Sequence, residues 1–539
     1  MQTQSRSEIF RWLGLGIALF IAALVTNPSE TSAQGCDLNA IVQDVGQYQF
    51  AGSGDPKVIL MQERHDLVTA QIEGAIMIYR LTRDCGFRVV GLEAAFPDTS
   101  FDTQWFTASL PQNIQPYIAV RVLGEGEISQ AEFAAMVYPS IFDGFKVVGI
   151  ESADLYNQEF DFGESGGIDL AMIYTGLTQL SESDLSEALT KLEEAPGTDE
   201  DPDAYNEWYD DFTSFVFTNS TNQDIQDWYA ASQVEGECVV NSIEAEIDNL
   251  DLAIQIVSSL QSSTEEMLGV ELTENLRDAE SVRGFYVNAH DRSVVMVDEI
   301  EASIQQNSNA PVVAIIGAAH TEWMVDTLQT SGYGTAVVSP QSFCDDSTGV
   351  SLSDAAYGSK EKAMSVDMPG LLGAILTGNS KKLPVVLEEP WFQIKTVLYG
   401  LATLVTDGLA QNPNATLEEI LGAVPLIPGV TVDMASLQPV PGVPDRWTFR
   451  VTLNVDGVRA EEIFIGIGTT GISEPGNYQT PTELDIEQLL LQELEQLREE
   501  GLPEVDPGKP ETLLTEVAPD VRAAFSTNQA TAISIISSK

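Results

Sequence analysis

A chain of 539 residues with 43% apolar and 8% aromatic residues has ample material for buried cores, so disorder is excluded as its general state and two or more domains are expected. Its 82 acids against 25 basic residues give a net charge of −57, which repels nucleic acid and anionic lipid and excludes functions built on a basic surface. Such a charge suits a solvated surface in salty surroundings or one that draws cations.

At the N-terminus Arg6 and Arg11 precede an apolar stretch over 13–25, and the small residues Ser32 and Ala33 stand before Gly35 and Cys36. That order reads as a signal peptide over residues 1–35, cleaved between about Ala33 and Cys36, and implies a secreted or periplasmic protein. The apolar core is too short for a comfortable membrane span, so no integral membrane contact is expected. A lipidated Cys36 would want a leucine three residues upstream, where Ala33 stands, and polar residues separate it from the apolar core. Export permits disulfides among Cys36, Cys85, Cys238 and Cys344, with three full connectivities open. None of the four has the CxxC spacing of a redox or zinc site.

From Lys57 onward short β-branched runs alternate with helical patterns: KVILMQ (57–62), an amphipathic stretch over 68–81, FRVVGLE (87–93), FKVVGIE (145–151), PVVAIIG (311–317) and GTAVVS (334–339). Near-continuous apolar strands separated by helices predict an α/β domain over 37–345, with a mostly parallel sheet covered by helices on both faces. A long acidic segment, about 152–310, reads as a helical insertion, with apolar periodicity over 243–260 and 294–304. Insertions of this kind form the wall or lid of a site. Its acidic run TDEDPDAYNEWYDD (198–211) lacks the glycine turn and terminal glutamate of a calcium loop and reads as solvated surface.

Residues 346–539 read as a separate α+β domain without a chemical motif, structural or interactive in role. A Ser- and Asp-rich loop leads to a helix over 392–410. RWTFRVTLNV and VRAEEIFIGIG then alternate cleanly around Asp456 and Gly457, a hairpin with a type I′ turn, and 484–497 follows as an amphipathic helix.

In a parallel α/β sheet, ligands bind beyond the carboxyl ends of the strands. Each apolar run ends there in a polar residue: Glu63 and His65 after the first, Glu93 after the second, Glu151 after the third, His320 after the fourth. Two of the chain's three histidines share this setting, and the mixture of nitrogen and oxygen donors is one that zinc or manganese prefers. The competing reading for Glu151 is an ion pair with a lysine or arginine, or a helix cap. His290, on a helical pattern without this context, reads as structural.

QERHD (62–66), CGFRVVGLEA (85–94), DRSVVM (291–296) and IIGAAHTEWMVDTLQTSGYGTAVV (315–338) together resemble the superfamily of TIKI/TraB proteins, erythromycin esterases and ChaN-like haem-uptake proteins. That superfamily pairs a GExH-type motif on the first strand with a GxxH motif near the end of an α/β domain, and the likeness covers about residues 55–340. It implies that Glu63, His65, Glu93 and His320 belong to the site and that Arg292 binds an anion or orients a neighbour. Gln62 stands where the family has glycine, so its side chain is expected to narrow the pocket or hydrogen-bond into it.

The function expected first is a metal-dependent hydrolase of an ester or peptide bond, acting on a small-molecule or peptide substrate. His65, His320, Glu63 and Glu151 would hold zinc or manganese, Glu63 or Glu93 would take a proton from the bound water, and Arg292 would stabilise the oxyanion. The alternatives are capture of haem or a metal ion without turnover, and a non-catalytic secreted scaffold.

Overall fold

The structure, a computed structural model, describes residues 36–51, 56–64, 67–124, 126, 128–159, 167–196, 202–232, 242–307, 310–343, 387, 390–426, 428–439, 446–455, 458–468 and 486–500. The leader, His65, Cys238, Cys344 and the Asp456-Gly457 turn lie outside the described residues.

The strands are β1 (Gly46–Ala51), β2 (Val58–Glu63), β3 (Val89–Leu92), β4 (Lys146–Gly149), β5 (Val312–Gly317), β6 (Thr335–Pro340), β7 (Val430–Pro439), β8 (Arg446–Val455) and β9 (Val458–Gly468). The helices around the sheet are α1 (Leu38–Val42), α2 (Val68–Cys85), α3 (Gln104–Ser109), α4 (Gln115–Gly124) and α5 (Gln130–Val137). Those between β4 and β5 are α6 (Ala153–Glu159), α7 (Gly167–Thr178), α8 (Glu182–Glu193), α9 (Pro202–Thr218), α10 (Gln223–Ser232), α11 (Ile243–Leu268) and α12 (Thr273–Gln306). After them come α13 (Thr321–Thr330), α14 (Pro390–Gln411), α15 (Leu417–Leu421) and α16 (Ile486–Glu500).

The main sheet has six strands in the order β1-β6-β2-β5-β3-β4, parallel except for β1. Side chains alternate across it, as the pleat requires. Ile59, Met61, Val90, Leu92, Val313 and Ile315 join α2, α4 and α5 in one core. Val58, Leu60, Val89, Val312, Ala314 and Ile316 meet Met296, Val297 and Ile300 of α12 and Met324 and Leu328 of α13 in another. Both faces are therefore dry, which is why the strands read as continuous apolar runs rather than alternating ones.

β1 was not among the expected strands. Its sequence GQYQFA alternates polar and apolar residues, and it pairs antiparallel with β6 at the edge, with Tyr48 and Phe50 packed on the core.

The insertion holds its own apolar core, including Met172, Val216, Ile225, Val257 and Leu272. α12, with 34 residues and a length of about 50 Å, belongs to both bodies. Ala279 lies in the insertion's core, and Met296 to Ile304 lie on the sheet. Arg292 and Ser293 fall between these two parts.

The C-terminal region is α+β as expected, with the antiparallel sheet β7-β8-β9, whose register pairs Val455 with Val458 across a two-residue loop. It packs on the sheet domain. Phe392, Leu401, Leu417, Phe449, Ile486, Leu490 and Leu494 belong to the same apolar cluster as α2, α4 and α5. The reason is the exposed outer face that the helices over the sheet would otherwise leave, which α14 and α16 cover. No helix of the described residues is long and apolar enough to cross a membrane.

Candidate functional site

β2 and β5 are adjacent and parallel, with Glu63 beside Gly317, and β3 follows with Leu92 beside Ile315. The chain therefore leaves the sheet at neighbouring points after β2, β5, β3 and β4. The stretch after β3 is constrained: Ala94 has a φ of 60°, in the left-handed region that a non-glycine residue rarely occupies. The N–H of Glu151 donates to Ala95 O at 3.0 Å, and Gly149 passes so near that a Cβ there would lie 2.1 Å from Phe96 O. Glycine is needed for that approach.

On this scaffold Glu93, Glu151, Arg292 and His320 meet. Arg292 Nε donates to Glu151 Oε1 at 2.9 Å and its Nη2 to Glu151 Oε2 at 2.8 Å. The same Nη2 reaches Glu93 Oε1 at 3.1 Å. His320 Nε2 lies 3.3 Å from Glu93 Oε1, and the backbone N–H of Gly317 donates to Glu93 Oε2. Tyr156 packs its ring against the Arg292 guanidinium at 5.2 Å. The Glu151 side chain is wholly enclosed at 0% exposure, whereas Glu93 keeps 11%, so Glu93 is the more accessible carboxylate. Burial alone would raise the Glu93 carboxyl, but the charges of His320 and Arg292 and the Gly317 N–H outweigh it and hold it well below the ordinary carboxylate range.

His320 is fixed from its other side as well. Its Nδ1 is 2.7 Å from Ser293 Oγ on α12. Thr321, the next residue, accepts from Gln62 Nε2 at 3.1 Å, and Ser339 on β6 donates to Gln62 Oε1 at 2.6 Å. Gln62 thus serves as a bolt between β2, β6 and the start of α13, where a glycine could make no such link.

Glu63 does not join this group. Pleat alternation turns it toward α2, where Gln71 Nε2 donates to its Oε1 at 2.9 Å and the N–H of Gln130 donates to Gln71 Oε1 at 2.9 Å. Glu151 is held by Arg292, the ion-pair reading open to it from sequence. Of the expected metal set, Glu63 is bonded by Gln71 and Glu151 by Arg292, and His65 lies outside the described residues. Among them no group of three or more His, Cys, Asp or Glu is arranged to hold a metal ion. His290 stands apart, 5.0 Å from the Trp323 ring and 3.6 Å from Glu244 Oε1.

Two contributors were not anticipated. Tyr156 left no mark in the sequence pattern. Ser293 did leave one: a polar residue set in the buried stripe of Ala289, Met296 and Ile300, at helical spacing.

The pairing of Cys36 with Cys85, one of the open possibilities, ties the segment before α1 to the end of α2. Comparison with family models, with curated proteins and with solved structures gave no match.

Proposed function

We propose that this chain is an exported hydrolase that cleaves an ester or peptide bond of a small-molecule or peptide substrate by acid–base chemistry at the Glu93–His320 pair. The observation that carries the reading is the Glu93 carboxylate shared by His320, Arg292 and the Gly317 N–H at the carboxyl edge of the sheet.

A carboxylate held so firmly in its charged form is a poor base but a good anchor for the ring beside it. In this scheme His320, with its own proton on Nδ1 toward Ser293, takes the proton of the attacking water on Nε2 and returns it to the leaving group. Glu93 stabilises the imidazolium formed in between. Arg292, gripped from behind by Glu151, orients the Glu93 carboxylate. The insertion, through α6 and α12, shapes the substrate wall.

The bond type rests on the resemblance to the erythromycin esterase superfamily rather than on the geometry. The Cys36–Cys85 bridge suits an oxidising compartment and supports export.

The test is hydrolysis of 4-nitrophenyl acetate and of an alanyl 4-nitroanilide by the mature chain, with His320→Ala, Glu93→Gln and His65→Ala beside it. Loss of about 10²–10⁴-fold in kcat/KM is expected for the first two. The superfamily resemblance places His65 in the site, so His65→Ala is expected to lower activity as well, with the double variant adding little. Elemental analysis of the same preparation decides the chemistry. Stoichiometric zinc or manganese that is lost with activity would overturn the acid–base scheme.

A further inference from the structure

We propose that Ser293 is a positioning residue that holds the His320 ring in one place whether that ring carries one proton or two. The inference rests on the reading of His320 as the acid–base group.

Ser293 Oγ has two partners. It lies 2.7 Å from His320 Nδ1 and 3.1 Å from Ala289 O, one turn back on α12. A hydroxyl has a single hydrogen, so it donates to one partner at a time. Ala289 O only accepts, but an imidazole nitrogen accepts when bare and donates when protonated.

Two complete hydrogen-bond patterns follow on the same heavy atoms. With the ring's one proton on Nε2, Ser293 donates to Nδ1, and Nε2–H points to Glu93 Oε1. With a proton on Nδ1, as in the other tautomer and in the imidazolium, Nδ1–H donates to Ser293 Oγ, whose hydrogen turns to Ala289 O; Nε2 is then bare to take the water's proton or, once it holds that proton, donates to Glu93 Oε1. At Ser293 only the hydroxyl hydrogen rotates between them. A buried ring without a convertible partner would leave a donor or an acceptor unmet in one of the two states.

The order carboxylate, imidazole, hydroxyl also invites a nucleophilic serine. Ser293 is 1% exposed, in the middle of a helix, with its hydroxyl between Ala289 O and the ring. A carbonyl carbon cannot reach it, so the serine acts through His320 and water remains the nucleophile.

The conservative replacement is threonine, whose hydroxyl also bonds the preceding helical turn. Full-length mature chain labelled with 15N in its histidine rings gives three imidazoles, which His290→Ala and His320→Ala assign. In Ser293→Ala the Nδ1 resonance of His320 is expected to move toward that of a nitrogen without a hydrogen-bond partner. Ser293→Thr is expected to return it. With 4-nitrophenyl acetate, kcat is expected to fall about tenfold in Ser293→Ala with KM little changed, and to recover in Ser293→Thr.

An unchanged His320 spectrum in a folded Ser293→Ala would overturn the proposal. So would a shift that threonine fails to reverse while the Ser293→Thr chain stays folded. The spectrum needs no turnover, so absence of ester cleavage in the wild type would count against the hydrolase reading and leave this result standing.

Discussion

Arg292 binds Glu151 through two nitrogens and Glu93 through one of the same two, a planar fork that lysine cannot reproduce. Removing it by Arg292→Met strands the enclosed Glu151 carboxylate and is expected to cost about 3–5 kcal/mol in urea unfolding. Pairing it with Glu151→Leu should recover most of that loss, because the uncompensated charge is gone. Equal instability of single and double variants would mean that Arg292 acts through packing alone. Glu93 makes a pH-dependent contribution of known sign. Its folded pKa is lowered, so the stability it adds is complete above its unfolded value and is lost as pH falls through the folded one. Glu93→Gln is therefore expected to flatten part of the fall in Tm below about pH 5.

Among the elements, α16 shows most directly how distant sequence completes the fold. Ile486, Leu490, Leu494 and Leu497 form an apolar seam, and α16 lies antiparallel to α2 with ion pairs at both ends. Glu487 meets Arg80 at 2.7 Å and also Arg83, and Arg498 meets Glu73. Leu490→Ala is expected to cost about 2–5 kcal/mol. Glu73 behaves opposite to Glu93. Burial, against the N–H and hydroxyl of Ser342 and the charge of Arg498, leaves its pKa raised. Its contribution to stability is complete below the unfolded value and fades as pH rises through the folded one. Arg498→Met should therefore lower Tm more at about pH 7 than at about pH 4, where Glu73 is neutral. Equal losses at both values would mean that the Glu73 charge is irrelevant to the docking of α16. At the other end of α2 the Cys36–Cys85 bridge closes a separation of 49 residues. Its loss in Cys85→Ser is expected to cost roughly 2–4 kcal/mol, read as a drop in Tm.

For the molecule as a whole, the shared core predicts that a chain ending at Phe343 will not fold well. Four buried aliphatic residues of α16 alone contribute about 6–12 kcal/mol at roughly 1.5–3 each, comparable with the entire net stability of an ordinary domain. Phe392, Leu401 and Leu417 add to that, and the Phe392 ring lies 6.1 Å from Trp105 on α3. Aggregation, or loss of near-ultraviolet dichroism, is expected for the shortened chain. A soluble, cooperatively unfolding product would show that the sheet needs no such cover.

What the sequence determined by itself was local: the apolar runs that became β2, β3, β4, β5 and β6, the hairpin of β8 and β9, and the polar residues that end the strands. These were legible because strand burial, turn chemistry and strand length act over a few neighbouring residues. Edge strand β1 and strand β7 were not, since a half-polar strand at an edge differs little from a loop. The grouping of Glu93 with His320 follows from strands that share one edge, and so was visible in outline, whereas Arg292, on α12, was expected only from the superfamily resemblance. Which way each side chain turns was decided only in three dimensions. Glu63 and Gln62 are neighbours, yet the pleat sends one to α2 and the other to Thr321 and Ser339. Glu151 and Arg292 are 141 positions apart, and no local pattern could tell that they neutralise each other. The union of the C-terminal helices with the core of the sheet domain is of the same kind. An apolar stripe declares that it must be buried, but only the packed chain decides against what.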